Sequence, residues 1–348
     1  MMKTLKKVLS VVIALTLVLS LAACSSGNQN AAPVPDADKS AAPEAEYVWK
    51  AGSVLAPDHP YSLGLYKLAE LLEEKSGGRI KMDVFPSGQM GGERDMIEGI
   101  QLGTLDFVVT ATAPVANFSS QLMVFDLPYL FRDTKHVYTV EDGPIGQSIL
   151  DTLQEKGIRG MNFWECGFME IANTKRKVLV PDDLKGMNIR VMENPIYIEY
   201  FTKLGANPVP MALTEVFTSL QNGTIDAVTN PVVTIYTSGF HTVAKDISLT
   251  NNIYIPAILL MSQELYTSLP KDIQAIVTEC CNEARDYERS LFATAEVEDS
   301  EKITAEGGII TEVNLSDWND AAFLEEIYKK FVPSQIPQEL VDQIRATK

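Results

Sequence analysis

Two neighbouring stretches decide the fold: PDDLKGMNIRVMENP, from Pro181 to Pro195, and LGANPVPMALTEVFTSLQNGTIDAVTNP, from Leu204 to Pro231. The first carries a short strand-like run, Asn188-Ile189-Arg190-Val191. The second ends in another, Ile225 to Thr229, which runs straight into Asn230 and Pro231. Both runs end in polar groups placed to face one cleft. Arg190 offers a planar fork of donors that matches a carboxylate. Asn230 before a proline also has the form of a helix start, which leaves it two roles, cap or ligand contact.

The second stretch has an echo. Ile100 to Thr110 (IQLGTLDFVVT) aligns with Leu220 to Asn230 (LQNGTIDAVTN) at a constant offset of 120, with five identities in eleven positions. Each copy reads as a helix ending at a glycine, Gly103 or Gly223, followed at once by an apolar strand. Upstream, Arg79 to Phe85 alternates Ile80, Met82 and Val84 as a strand, and a Gly/Pro turn leads into a helix from Glu93. Asn207 to Pro210 is the matching strand, with Thr214 as the expected helix cap. Strand–helix–strand units of this length demand crossovers and parallel strands, hence an α/β sheet. Open sheets of this kind bind ligands beyond the carboxyl ends of their strands. Two such units place Thr110 opposite Asn230.

The rest of the chain is simpler. Tyr47 to Ser53 reads as a first strand and Tyr61 to Lys75 as an amphipathic helix. Apolar residues from Ile273 to Ala295 recur at three- and four-residue steps, predicting a helix over 271–306 long enough to span two lobes. Trp318 to Phe331 reads as a last helix.

The N-terminus has the form of an export signal. Lys3, Lys6 and Lys7 precede an apolar run, Val8 to Leu21, too short to span a bilayer comfortably. Leu21-Ala22-Ala23-Cys24 then resembles a bacterial lipobox, in which Cys24 becomes the lipidated first residue. Residues 24–45 have the composition of a flexible tether. The remainder exceeds what one core usually supports, so two lobes are expected. The boundaries fall at 46–166 plus 255–294 for lobe 1 and 167–254 plus 295–340 for lobe 2.

The chain has 29 Lys and Arg against 46 Asp and Glu. Without the leader lysines this becomes 26 against 46, a formal charge of −20. That argues against nucleic acid or an anionic lipid surface as partner. Screening confines the repulsion of an anionic ligand to about 10 Å, so a local arginine still prevails. Besides Cys24, only Cys166, Cys280 and Cys281 are present, with no disulfide framework or metal spacing. Three scattered histidines (His59, His136, His241) and the absence of hydrolase, zinc and P-loop motifs disfavour an enzyme, and no cofactor is implied.

Taken in order, Asp58-His59-Pro60, Ser76-Gly77-Gly78-Arg79-Ile80, Val84 to Glu93 (VFPSGQMGGE), Leu127-Pro128-Tyr129-Leu130-Phe131, Leu184-Lys185-Gly186 with Ile189-Arg190-Val191, and Gly205-Ala206-Asn207-Pro208 resemble one family. It is the solute-binding subunit of tripartite ATP-independent (TRAP) transporters, dicarboxylate-binding type, and the likeness covers about Val48 to Phe331. The resemblance implies a two-lobed, periplasmic-binding-protein-like α/β fold, each lobe a mixed sheet flanked by helices, with one long helix spanning both. It implies that Arg190 binds a ligand carboxylate and Asn230 hydrogen-bonds it. The partners would be a small organic acid and the small and large integral membrane subunits of the transporter, with attachment to the membrane, in the periplasm or on the outer cell surface, through the lipid on Cys24. An ATP-driven importer subunit or a chemosensory ligand presenter shares the same two-lobe logic.

The chain also departs from the family pattern. Gly167-Phe168-Met169 stands where the family often has Gly-Phe-Arg, and Glu193 stands where an uncharged polar residue is common. Losing a cation and gaining a carboxylate weakens compensation for a dianion. A monocarboxylate is expected, with Met169, Leu213, Trp164 and Phe168 beside an apolar end or Glu193 holding an amine. His59 and Thr110 complete the expected cleft.

Overall fold

A computed structural model describes residues 45–348. The expected leader, Cys24 and residues 25–44 of the tether lie outside the described residues. Eleven strands appear within them: β1 (Tyr47–Gly52), β2 (Ile80–Phe85), β3 (Phe107–Ala111), β4 (Ile158–Phe168), β5 (Glu170–Asn173), β6 (Asn188–Val191), β7 (Asn207–Pro210), β8 (Ala227–Asn230), β9 (Asp246–Leu249), β10 (Tyr254–Ser262) and β11 (Ile309–Glu312). They form two mixed sheets, ordered β2-β1-β3-β10-β4 and β11-β9-β5-β8-β6-β7.

The repeat seen in the sequence is a repeat of structure. In one sheet β1 pairs in parallel with β2 and β3; in the other β6 pairs in parallel with β7 and β8. Helices Glu93–Gln101 and Val216–Gln221 precede β3 and β8. Gly103 and Gly223 take positive φ, 69° and 74°, where a Cβ would strain the turn. The two aspartates at the strand entries do the same work. Asp106 Oδ2 accepts from the Lys50 backbone N–H at 2.8 Å, and Asp226 Oδ2 from that of Asn188 at 3.0 Å. Each pins the incoming strand to its central neighbour.

The next strand in each sheet is borrowed. β10 lies antiparallel on β3, and β5 lies antiparallel on β8. β4 of the first sheet passes into β5 of the second through Met169 alone, and β9 returns to β10 through residues 250–253. Where the two passages meet, the Met169 N–H donates to the Ile253 carbonyl at 2.8 Å, and the Thr250 hydroxyl donates to the Met169 carbonyl at 3.3 Å. Asn251 sits there at φ 44°, a left-handed position that asparagine tolerates, and its N–H donates to the buried Glu170 carboxyl at 3.1 Å.

Helix Lys271–Ala305 is the third tie between the lobes. Its 35 residues extend about 52 Å at 1.5 Å per residue. Ile273, Val277, Cys280 and Ala284 are buried at one end, where the helix lies on helix Pro60–Lys75 and β4; Ile303 is buried at the other, towards helix Val232–Thr237 and β11. β10 is buried along its whole length. Cys166, Cys280 and Cys281 are buried free thiols.

Three local expectations need correction. Thr214 does not cap its helix, because a 3₁₀ turn (Leu213–Glu215) intervenes and no side chain serves as cap. The helix expected from Trp318 begins at Ala321, where the Asp320 side chain accepts from the Phe323 N–H. The strand expected from Ile225 begins at Ala227, since the Ile225 N–H still turns back to the Ser219 carbonyl.

Glu170 makes stability depend on pH. Burial raises its carboxyl to about 8, with the Asn251 and Thr250 N–H groups pulling the other way. The folded chain therefore holds a proton that the unfolded chain, with its ordinary carboxyl near 4.5, releases. Stability falls as pH rises through that window, by up to about 1.4 kcal/mol per pH unit for one group. Buried Glu141 and Glu288 shift in the same direction. The unfolding midpoint should drop from pH 5 to pH 8, and Glu170→Gln, which keeps the acceptor for Asn251, should flatten that slope. Equal slopes in thermal melts of both proteins would assign the dependence to other groups.

Candidate functional site

β6 and β8 are parallel neighbours, so their C-terminal ends open on the same side of the sheet. That places Arg190 and Asn230 side by side. The guanidinium is buried, with 1% of the residue exposed. Its Nε donates to the Met211 carbonyl at 3.0 Å and one terminal nitrogen to the Asn230 side-chain oxygen at 3.3 Å. No carboxylate among the described residues is in ion-pair contact with it. Burial pulls its pKa down to about 10, with the Glu93 carboxylate opposing the shift, so it stays charged near neutrality. Because Asn230 spends its oxygen on Arg190, its amide N–H groups are left for a ligand. Asn230 does not cap a helix; Pro231 occupies that position.

A cavity of about 20 Å³ adjoins the pair. Lobe 1 supplies Val54, Leu55, Tyr61, Glu93 and Ala111; lobe 2 supplies Arg190, Met192, Leu213, Asn230 and Thr234; the crossing strands supply Cys166, Met169 and Ile255. The volume is that of about one water. Flexible Met169 and Met192 and partly exposed Leu213 set its size, and they can repack as it widens. On the outer side Arg190 also lines a cavity of about 180 Å³ with Arg94, Glu193 and Met211. A larger cavity of about 510 Å³ lies elsewhere, between helices Ala321–Phe331 and Gln338–Ala346, and contains none of these residues. The chemistry sits at the small one, where a buried cation, an amide and a carboxylate converge.

The expected residues divide. Arg190, Asn230, Met169 and Leu213 come together at the cavity. Thr110 reaches it through a neighbour: its hydroxyl donates to Glu93 Oε1 at 2.8 Å, and the Ala111 N–H donates to the same oxygen at 3.3 Å. Burial raises the Glu93 carboxyl, against the pull of Thr110 and Arg190. Glu193 is exposed at the outer cavity, and only its backbone is engaged, its carbonyl accepting from Asn117 Nδ2 at 3.0 Å.

Trp164 is not at the cleft. It is fully buried, its Nε1 donating to Asn162 Oδ1 at 2.9 Å, and a Cβ on Gly64 would stand 2.4 Å from its ring. Only glycine allows helix Pro60–Lys75 to lie so close. Phe168 packs edge-on against Tyr254 rather than lining the cavity. His59 is also buried away from it. Its Nδ1 accepts from the Tyr61 N–H at 3.1 Å as the cap of helix Pro60–Lys75, and its Nε2 meets the Thr234 hydroxyl at 3.4 Å. Burial pulls its pKa to about 3, so the ring is neutral and joins lobe 1 to lobe 2 without charge.

The sequence reading missed Glu93 and Tyr61. Glu93 carried a signal, since it stands 120 residues before Leu213, the repeat offset, and both line the cavity. Tyr61 carried none beyond its place at a helix start.

The family model for bacterial extracellular solute-binding protein, family 7, matches residues 51–335. The chain is 33% identical over 274 residues to the 2,3-diketo-L-gulonate-binding periplasmic protein of Escherichia coli, covering 77% of this chain and 82% of that one. It is similar to the crystal structure of a TRAP periplasmic solute-binding protein from Polaromonas bound to D-erythronate, with TM-score 0.84 and 33% identity over 87% of this chain and 99% of that one. A Sulfurospirillum deleyianum TRAP protein with bound succinate gives TM-score 0.82 and 29% identity, over 87% and 100%.

If His59 is a cap, its replacement costs stability and little else. His59→Ala should lower folding stability by about 1 kcal/mol, and His59→Asn should recover most of it. Affinity per folded molecule, read by calorimetric titration, should change by less than about tenfold; a larger loss with an unshifted melt would make His59 a ligand contact.

Proposed function

Because this chain belongs to bacterial extracellular solute-binding protein family 7, we propose that it captures a small organic acid between its lobes and delivers it to the membrane subunits of a TRAP transporter. The observation that carries this is the Arg190 guanidinium, buried beside the Asn230 amide with no carboxylate among the described residues in ion-pair contact with it. Burying a cation without its counter-charge is costly, and a bound carboxylate removes that cost while taking the donors of both side chains. The acid enters from the cleft as the lobes part at Met169 and residues 250–253. As they close it is held from both sides.

The lobes are taken as 46–166 with 255–294 and 167–254 with 295–340, so each contributes one wall. The lipobox-like Leu21 to Cys24 supports export and a lipid anchor on Cys24, with residues 25–45 as the tether. A member of a solute-binding family with this site binds and releases its ligand without turnover. The family separates this reading from an importer driven by ATP. The exposure of Glu193 outside the inner cavity supports a ligand without an amine held there.

Arg190→Ala tests the clamp. Breaking a buried charge pair costs about 2–5 kcal/mol, so affinity should fall roughly 30- to 4,000-fold. The unliganded protein should melt no lower than wild type, because the substitution removes an unpaired buried charge. Mass spectrometry of acids that co-purify with the wild-type protein should find one that is missing from the variant. An unfolded variant, or one with unchanged affinity, would make Arg190 a structural residue.

A further inference from the structure

We infer that Tyr61 is a specificity residue that reads a hydroxyl on the ligand, so that this cavity takes a monocarboxylate with neutral hydroxyl groups in preference to a dicarboxylate or an amino acid. The inference rests on the organic-acid reading above and narrows it.

Tyr61 lines the cavity from the lobe opposite Arg190, and the residue is 2% exposed. Its ring is fixed. The Tyr61 N–H is held by His59 Nδ1, and the ring stands edge-on to the His59 imidazole at 4.8 Å. Among the described residues its hydroxyl makes no hydrogen bond to an oxygen or a nitrogen, and its polar neighbour is the Cys166 thiol. A buried hydroxyl is normally paired, and one left open at a ligand cavity marks a position that the ligand completes. The thiol of Cys166 is the polar neighbour that also reaches the cavity, and a thiol is a weak partner.

The charge inventory selects the class. Among the described residues, Arg190 is the one cation lining the inner cavity and Glu93 the one carboxylate. A first ligand carboxylate takes Arg190 and Asn230. A second would find Arg190's positive charge already taken and, in the rest of the lining, apolar side chains such as Val54, Leu55 and Ile255 with the Tyr61 hydroxyl. An ammonium would depend on Glu93, whose carboxyl already accepts from the Thr110 hydroxyl and the Ala111 N–H and is pushed toward its neutral form by burial. A hydroxyl needs only one donor or acceptor, and the phenol supplies either.

The test is a four-carbon series titrated calorimetrically into the purified protein: D-erythronate, butanoate, 2-aminobutanoate and succinate, with wild type, Tyr61→Phe and Arg190→Ala. Wild type should bind erythronate at least tenfold more tightly than the other three. Tyr61→Phe should weaken erythronate about 10- to 100-fold, the range of one buried hydrogen bond, and leave butanoate within about twofold. Its unliganded melting temperature should be unchanged or higher, since the group removed is unpaired. An equal loss for erythronate and butanoate, or an undiminished preference in Tyr61→Phe, overturns the role of Tyr61. Succinate or 2-aminobutanoate bound most tightly, with Arg190→Ala abolishing it, overturns the hydroxy-acid class and leaves the organic-acid reading standing. A wild-type protein that binds none of the four overturns both.

Discussion

Two passages of backbone, at Met169 and at Thr250–Ile253, carry the chain between the lobes and hydrogen-bond each other where they meet. The rest of the molecule is arranged around that junction. Because the strand before it belongs to one sheet and the strand after it to the other, neither sheet is complete without chain that has passed through. The lobes are therefore not independent bodies joined by a linker. Residues beside the junction, Cys166, Met169 and Ile255, form part of the cavity itself, so rotation about it changes the site directly. A buried carboxyl, Glu170, is tied to the same backbone and couples its geometry to protonation.

Closure is set by a few polar contacts between the lobes. Asn194, at the start of helix Pro195–Lys203, donates to Asp126 Oδ2 at 2.7 Å across the cleft, while its own oxygen caps the helix through the Ile196 N–H. Asn117 reaches the Glu193 carbonyl, and His59 reaches Thr234. All three contacts use neutral donors. The carboxyl among them, Asp126, is pushed well above the usual carboxylate range by burial, so these three contacts add little charge to a strongly acidic chain, and Arg190 is left as a buried cation that an anion can satisfy.

Much of the fold was legible because it obeys simple periodicities. The 120-residue repeat, the two glycine turns and the long apolar stripe from Ile273 fix strand direction, helix ends and span. Arg190, Asn230, Met169 and Leu213 were legible because each sits at a strand end or helix start, where side chains point into a cleft. Trp164 was not, and the reason is local. Ala257 pairs with Trp164 and Ile255 with Gly167, so β4 carries one residue more than β10 over that step. Such a bulge re-aims the side chains around it, and Trp164 faces the packed helices while Cys166 faces the cavity. Neither spacing nor composition announces a bulge. Tyr61 escaped for a different reason: a tyrosine at the start of an amphipathic helix looks like core until its hydroxyl is found without a partner.

The placement of the first strand has a mechanical meaning. The chain enters the described structure at residue 45 and runs at once into β1, which is not an edge strand. It pairs with β2 over Tyr47 to Gly52 and with β3 at Ala51 and Gly52. Tension arriving along the chain from the N-terminal side pulls β1 lengthwise between two parallel neighbours. Their hydrogen bonds then share the load in shear, where an edge strand would peel away one bond at a time. A pull on residue 45 is thereby spread over several hydrogen bonds of the first lobe at once.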